Sequence, residues 1–320
     1  MVHVKQLPQK RGKAATFFHQ AAKHRNLLLM MLPALLTFLI FRYGSIMGIA
    51  IAFVDLKAKI GQSFFESILS SPFVGFKHFE AFFTSMTGLQ VLRNTILISL
   101  YKILFGFPTP ILLAILLNEL RSNPFKRVVQ TITYLPHFIS WVVLAGLLRM
   151  MLSPDFGVLV PAFRALHIPV INFIGDSQYF RGLLVVSDIW VDVGWGSIIY
   201  LAALTGIDPE LYEAAVIDGA GRFQRIWSIT LPCLFPTIAV MLILRTGTLM
   251  DAGFDQVFNL YNNSVRSIAE ILDTYVYQKG IIDSKFGFST AIGLFKSVIG
   301  LGMVLLTNYL AKWMGQEGIV

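Results

Sequence analysis

The sequence predicts an all-α integral membrane protein with six transmembrane helices and both termini in the cytoplasm. Of its 320 residues, 55% are hydrophobic and only 14% are charged, whereas a soluble domain carries about 25% charged residues. Six apolar runs follow one another along the chain, and each supplies the ~20 residues that a spanning helix needs. A bilayer must therefore cover most of the surface, and the net charge of +8 does not indicate binding to nucleic acid.

The N-terminal segment 1–25 is a polar, basic tail that orients the chain. Its six basic residues are Lys5, Lys10, Arg11, Lys13, Lys23 and Arg25. A positive cluster ahead of the first apolar run holds the N-terminus in the cytoplasm. The run that follows is too long for a signal peptide and has no small-residue cleavage site, so we expect a retained first span. Six spans then return the C-terminal tail, 314–320, to the same side.

The membrane domain, 26–313, contains the six predicted spans and the loops between them. Arg42-Tyr43-Gly44 interrupts the first span, and Pro108 and Pro110 are expected to kink the second. The segments 55–88, 152–179 and 257–288 are expected on the outer side. The spans are predicted at 26–54, 92–117, 128–151, 180–205, 233–256 and 290–313.

Residues 207–232, which we call the elbow, form a polar island between the fourth and fifth spans. Glu213-Ala214-Ala215, Gly219 and the later Ile-x-Leu-Pro follow the spacing EAA-x3-G-x9-I-x-LP. The alanines keep a short helix slim, so that another protein can approach its backbone. Gly219 tolerates a tight turn that ends this helix, and Pro232 suits the opening of the next. A plain amphipathic surface helix is the alternative interpretation.

Ionisable groups within spans are costly and usually face the protein interior, so they predict a polar pathway between the helices. Asp188, Asp192 and Trp195 share one face of the fourth span, and Arg245 and Asp255 share one on the fifth. Aromatic rings stack on the C–H faces of sugars, while charged groups bond the hydroxyls. In the alternative interpretation Asp192 and Arg245 pair only to hold helices together. The candidate pathway residues are Tyr101, Lys102, Asp188, Asp192, Trp195, Arg245, Asp255 and Lys296.

The sequence contains no catalytic, metal or nucleotide motif. There is no GxxxxGK[ST] phosphate loop, no HExxH, no GxSxG, and a single cysteine, Cys233. We therefore assign no catalytic residue, no metal ligand and no cofactor to this chain. If transport is driven by ATP, the ATPase must be a separate polypeptide.

The spacing in the elbow is the cytoplasmic loop signature of membrane subunits in binding-protein-dependent ABC importers, and the chain resembles that family. The segments 130–143, 194–204, 207–223 and 271–280 are similar to the polysaccharide and oligosaccharide permeases of its carbohydrate branch, which includes an alginate importer. The resemblance implies the type I importer permease fold in the prokaryotic inner membrane. It also implies a second homologous permease subunit, two ATPase subunits that bind ATP and Mg²⁺, an external solute-binding protein and a surrounding of membrane lipid.

The resemblance also implies roles for individual residues. The elbow would be an ATPase-docking loop whose short helix sits in a cleft of one ATPase, with Glu213 facing a basic residue there. The docking residues carried over are Glu213, Ala214, Ala215, Asp218, Gly219 and Arg222. Lys102, Arg245 and Lys296 either neutralise uronate carboxylates of an acidic sugar or balance the chain's own Asp188, Asp192 and Asp255.

Three other functions remain as alternatives at this stage. An ABC permease for another solute class shares the docking loop and differs only in the flanking segments. An ion-coupled secondary sugar transporter often shows internal repeats and broken half-helices at matching places, which the sequence lacks. An intramembrane enzyme would need a catalytic constellation, and none is present.

Overall fold

The computed structural model of the protein describes residues 24–56, 61, 63–120 and 122–313. This part of the chain is helical and contains no strand, only an isolated antiparallel bridge between Val54 and Phe73. The predicted tails, apart from His24 and Arg25, lie outside the described residues, as does Arg121 between the second and third spans. The predicted all-α membrane fold is confirmed. The spans are Arg25–Phe53, Met86–Glu119, the bent pair Asn123–Phe138 and Trp141–Met151, Ser177–Thr205, Arg222–Gly247, and Phe286–Trp313.

Shorter helices connect the spans. The elbow contains one of them, and the segment between the fifth and sixth spans contains three, the last of which continues as a π turn over Gln278–Ile282. They are Phe64–Ser70, Lys77–Thr84, Val160–Ala165, Pro209–Ile217, Phe254–Leu260, Arg266–Ala269 and Leu272–Tyr277.

The first and second spans each contain a π-helical turn where the sequence predicted an interruption or a kink. The α-helix Arg25–Phe38 passes into a π turn, Leu39–Tyr43, that contains Arg42. In the second span, the π turn Lys102–Gly106 immediately precedes Pro108. Proline lacks an N–H and crowds the carbonyl four residues before it. The wider turn accommodates that crowding, and the helix continues to Glu119.

The third span is bent, which corrects the prediction of one helix over 128–151. Its first part ends in a tight turn of 3-10 helix, Leu135–Phe138, that contains Pro136. The second part begins at Trp141, after the extended residue Ser140. The two parts meet at 106°. The bend places His137 and the residues after it next to the fourth span.

The fifth span runs over Arg222–Gly247 and not over the predicted 233–256. A π turn, Ile226–Thr230, precedes Pro232, so this proline lies inside a helix that has already begun. Leu249, Met250 and Ala252 prolong the apolar pattern beyond Gly247, but the helix does not continue. Residues 248–250 form a turn, 251–253 have no regular secondary structure, and a separate helix, Phe254–Leu260, follows. Asp255 therefore does not share a helical face with Arg245, which corrects that part of the prediction.

Candidate functional site

The fourth span, Ser177–Thr205, carries three of the candidate pathway residues and packs against the second and third spans. A Cβ placed on Gly194 would lie 2.2 Å from the backbone oxygen of Thr133, and one on Gly196 would lie 3.0 Å from the ring of Pro110. The two glycines therefore let the third and second spans pack directly against this helix. Trp195, between them, remains 47% exposed. Close backbone packing thus surrounds an aromatic side chain that is still open to a ligand.

Asp188 lies at the centre of an ion network that joins four elements. The ammonium of Lys102 donates to Asp188 Oδ1 at 2.7 Å, and the guanidinium of Arg245 lies 3.7 Å from Oδ2. Lys102 also donates to the side-chain oxygen of Gln256. The Gln256 amide nitrogen in turn donates to Leu184 O at 2.7 Å and to Ser187 Oγ at 2.8 Å.

The charges at the centre of this network are buried, so they must remain paired for the fold to be stable. The side chain of Lys102 is only 4% exposed, and that of Asp188 is 13% exposed. Removing two such charges from water costs several kcal/mol per ion. Their mutual attraction offsets this cost only if the geometry is good and their other polar atoms are hydrogen-bonded. Both conditions hold for Lys102. The network therefore fixes the second span and the helix Phe254–Leu260 to the fourth span.

Asp192, one turn further along the fourth span, has a different partner. Its Oδ1 lies 2.9 Å from Nδ1 of His137. The imidazole also stacks on the indole of Trp195, with ring centres 4.7 Å apart and planes 4° apart. The alternative that Asp192 pairs with Arg245 is wrong, because Arg245 is drawn to Asp188. Sequence analysis gave His137 no role, since its partner lies 55 positions away.

Two cavities open beside these residues. The first, the elbow-side cavity, has a volume of about 280 Å³. The second, the bend-side cavity, has a volume of about 320 Å³. The elbow-side cavity is lined by Gly106, Phe107, Thr109, Pro110, His137, Asp188, Ile189, Asp192, Val193, Trp195, Gly196, Tyr200, Met241 and Arg245. The bend-side cavity is lined by His137, Ile139, Ser140, Trp141, Val142, Val191, Asp192, Asp255 and Asn259.

The predicted pathway residues divide into two groups. Those that line the two cavities are Asp188, Asp192, Trp195, Arg245 and Asp255. Lys102 is buried behind Asp188, and neither cavity is lined by Tyr101 or Lys296. No group of three His, Cys, Asp or Glu side chains suited to a metal ion occurs within the described ranges.

Lys296 belongs to a second ion cluster. Its ammonium donates to Asp273 at 2.6 Å and lies 4.0 Å from Asp251. Burial raises the pKa of Asp273, although the hydrogen bond and the charge of Lys296 oppose that shift. Asp273 lies in the segment between the fifth and sixth spans, where the sequence gave no reason to look for a partner. The cluster joins that segment to the sixth span.

The elbow has the turn that its sequence predicted. Asp208 caps the helix Pro209–Ile217 by accepting from the N–H of Glu210 at 2.9 Å. At the other end the N–H of Ala220 donates to Ala215 O at 2.8 Å. Gly219 between them has φ +78°. This left-handed residue satisfies the last carbonyls of the helix and reverses the chain, as in other helices that end at glycine.

The elbow is exposed along most of its length, yet its helix Pro209–Ile217 also contacts the fifth span through a side chain. The hydroxyl of Tyr212 lies 3.0 Å from that of Thr230, which is buried at the base of the span. The three most exposed of its large apolar side chains are Ile217 at 86% exposure, Phe223 at 90% and Trp227 at 76%. Of the six docking candidates, only Ala215 is half-buried; Glu213, Ala214, Asp218, Gly219 and Arg222 are exposed.

Known proteins with similar sequences are transport permeases. The chain is 42% identical to Protein LplB of Bacillus subtilis (strain 168), over 96% of this chain and 95% of that protein. It is 43% identical to the polygalacturonan/rhamnogalacturonan transport system permease protein YteP of the same organism, over 97% of this chain and 95% of that one.

A solved structure shares the fold as well as the sequence. It is a chain of a bacterial alginate ABC transporter in complex with an alginate pentasaccharide-bound periplasmic protein. The TM-score is 0.85 and the identity 37%, over 94% of this chain and 99% of that one. Residues 106–316 match the family described as the inner membrane component of binding-protein-dependent transport systems. The chain belongs to this family and is a multi-pass permease subunit of the inner membrane.

Proposed function

We propose that this chain forms half of the pore in an ATP-driven oligosaccharide importer, with ATP bound and hydrolysed on separate subunits. The observation that carries the proposal is the continuity of the fifth span. One helix of 26 residues, Arg222–Gly247, begins in the elbow and ends two residues beyond Arg245. At 1.5 Å per residue it is a rod of about 39 Å that connects an exposed docking surface to the ion network.

This rod gives a mechanical route from a motor to the pathway. An ATPase that binds and displaces the helix Pro209–Ile217 would also move the start of the fifth span, because the hydroxyls of Tyr212 and Thr230 are hydrogen-bonded. Movement of the span displaces Arg245 relative to Asp188, where the two groups are 3.7 Å apart. Closure of the ATPase pair would turn the pathway outward to receive sugar, and hydrolysis would turn it inward again.

The proposed assembly contains four further proteins. A second permease of similar fold completes the pore, two ATPase subunits each take one elbow, and an external binding protein delivers the sugar. The similar solved structure is an ABC transporter complex with a periplasmic protein that holds an alginate pentasaccharide. The six docking candidates, Glu213 first among them, are proposed to contact the ATPase.

We propose an acidic oligosaccharide as the cargo. Trp195 offers an exposed aromatic face, and carboxylates and a guanidinium line the same cavity. Two similar proteins are described as handling polygalacturonan/rhamnogalacturonan and alginate. Of the three predicted cations, Arg245 is the one suited to a substrate carboxylate. Its side chain is 42% exposed and loosely held, whereas Lys102 and Lys296 have carboxylate partners at 2.7 and 2.6 Å.

ATP-dependent uptake by the reconstituted complex tests the proposed coupling. The complex is placed in vesicles with its ATPase subunits and binding protein, and uptake of a galacturonate oligosaccharide is measured. Glu213→Arg reverses a charge on the docking helix, and we expect uptake to fall at least about tenfold, which corresponds to about 1.4 kcal/mol of lost coupling. The ATPase subunits should also co-purify less well.

The matched control is Glu80→Arg, which replaces another exposed glutamate, on the helix Lys77–Thr84. It should leave uptake and co-purification unchanged. Equal uptake by Glu213→Arg and the unchanged protein, or uptake that persists without ATP, would refute the proposal. The second result would favour an ion-coupled transporter.

A further inference from the structure

His137 and Asp192 are the two residues that both cavities have in common. Every other lining residue belongs to one cavity alone. The hydrogen bond between their side chains, 2.9 Å long, therefore lies where the two spaces meet.

Apart from His137 and Asp192, the two cavities are lined by different residues. The elbow-side cavity reaches Tyr200 and Met241, which approach the elbow along the fourth and fifth spans. The bend-side cavity is formed by Ile139–Val142, beyond the bend of the third span, and by Asp255 and Asn259 of the following short helix. A solute that moves from one of these cavities into the other therefore passes His137 and Asp192.

The side chain of His137 has two partners that hold it between the cavities, but it is also partly exposed to solvent. Its imidazole is bonded to Asp192 on one side and stacked on Trp195 on the other. Yet the side chains of His137 and Asp192 are 32% and 52% exposed. Water competes for a hydrogen bond that is this exposed, so the bond contributes less than a buried one would. A sugar hydroxyl can take the place of the imidazole on Asp192.

We propose that His137 is the side chain that closes the pathway between the two cavities. Its imidazole leaves Asp192 when a sugar unit passes, and it returns afterwards to prevent leakage. The inference rests on the proposed transport function, because a passage needs closing only in a pore. Its location in a bend between two helical segments, where a small rotation swings the ring, suits this task.

Accessibility to a membrane-impermeant thiol reagent tests the closure without any transport measurement. The background is Cys233→Ser, which removes the chain's one cysteine. Met241→Cys reports on the elbow-side cavity and Asn259→Cys on the bend-side cavity. The assembled complex, without nucleotide and in right-side-out vesicles, is treated with a methanethiosulfonate reagent added from outside.

We expect Asn259→Cys to react, and Met241→Cys to react at least about tenfold more slowly. Adding His137→Ala should raise the rate at Met241→Cys to that at Asn259→Cys. Ser140→Ala, a truncation that lines only the bend-side cavity, should not. Ile243→Cys, which replaces a fully buried residue of the same span, should stay unreactive throughout.

Three results would overturn the proposal. The first is rapid labelling at Met241→Cys while His137 is present, and the second is no increase when His137 is truncated. The third is labelling of Ile243→Cys together with Met241→Cys, since His137 would then support helix packing and not closure. ATP-dependent uptake by the unchanged complex is measured in parallel. Its absence would contradict the proposed function, whereas the labelling pattern judges His137 separately.

Discussion

Asp188 forms ion pairs with cations of two other spans: Lys102 of the second span at 2.7 Å and Arg245 of the fifth span at 3.7 Å. The two contacts differ in character. Lys102 is buried and bonded also to Gln256, so its contact is structural. Arg245 lines the elbow-side cavity, and its side chain is 42% exposed and 3.7 Å from Asp188. We therefore expect Arg245 to change partners more easily than Lys102. A single carboxylate thus connects the fixed part of the bundle to the part that we expect to move.

Loss of the buried ammonium should destabilise the protein strongly. Lys102→Ala leaves the Asp188 carboxylate and the Gln256 oxygen buried without their donor, and breaking such a pair costs about 3–5 kcal/mol. The thermal unfolding midpoint of the purified complex should fall, while Lys77→Ala, at an exposed lysine, should leave it unchanged. An unchanged midpoint for Lys102→Ala would show that the network adds no stability.

Loss of the Arg245 charge should affect cargo selection more than stability. If this guanidinium binds a uronate carboxylate, Arg245→Gln removes a charged hydrogen bond worth about 1.5–3 kcal/mol, and the KM for a galacturonate oligosaccharide should rise at least about tenfold. The same oligosaccharide with its carboxylates reduced to alcohols serves as the neutral control, and its KM should not change. Equal effects on both sugars would contradict a charge-selective role for Arg245.

Several individual partners were beyond prediction because they depend on contacts that are distant in sequence. The sequence named Asp188 among the carboxylates that Lys102, Arg245 and Lys296 could balance. It did not indicate that Lys102 and Arg245 share Asp188, or that Lys296 pairs with Asp273. His137 and Gln256 gave no local signal, since neither forms a motif with its neighbours. Which polar groups meet is decided by how the helices rotate and bend.

Elements whose boundaries depend on local chemistry were more predictable. The elbow helix was expected to end at Gly219, and that glycine is in the left-handed conformation with φ +78°. The end of the fifth span was not predictable, because Leu249, Met250 and Ala252 prolong the apolar pattern although the helix stops at Gly247. Hydrophobicity indicates what enters the membrane but not where a helix breaks within it.

The turn in the elbow gives a matched pair of glycine substitutions. Gly219→Ala forces a side chain into the left-handed conformation, which costs about 1–2 kcal/mol, and should displace the docking helix and reduce ATP-dependent uptake. Gly221→Ala is the control, because Gly221 has φ −69° and, like Gly219, has no atom within 4 Å of an added Cβ. If both variants transport equally well, the conformation of this turn does not matter for coupling.

At the scale of the whole molecule, six apolar runs and one motif were enough to predict the class of fold and the family. Composition decides that the chain needs a bilayer, and the spacing of the elbow indicated the family; docking of an ATPase on the elbow stays a prediction. The 106° bend of the third span and the two cavities were not predictable. They depend on close contacts such as that of Gly194 with Thr133, which a single sequence does not reveal.

The central claim is that the elbow is the surface on which a separate ATPase acts. Photo-cross-linking in the assembled complex tests it most directly, with a photoreactive amino acid placed at Ile217 of the elbow or at Leu69 of the helix Phe64–Ser70. The two side chains are equally open, at 86% and 87% exposure. We predict an adduct with the ATPase subunit from position 217 and none from position 69. An ATPase adduct from position 69, or none from position 217, would contradict the account.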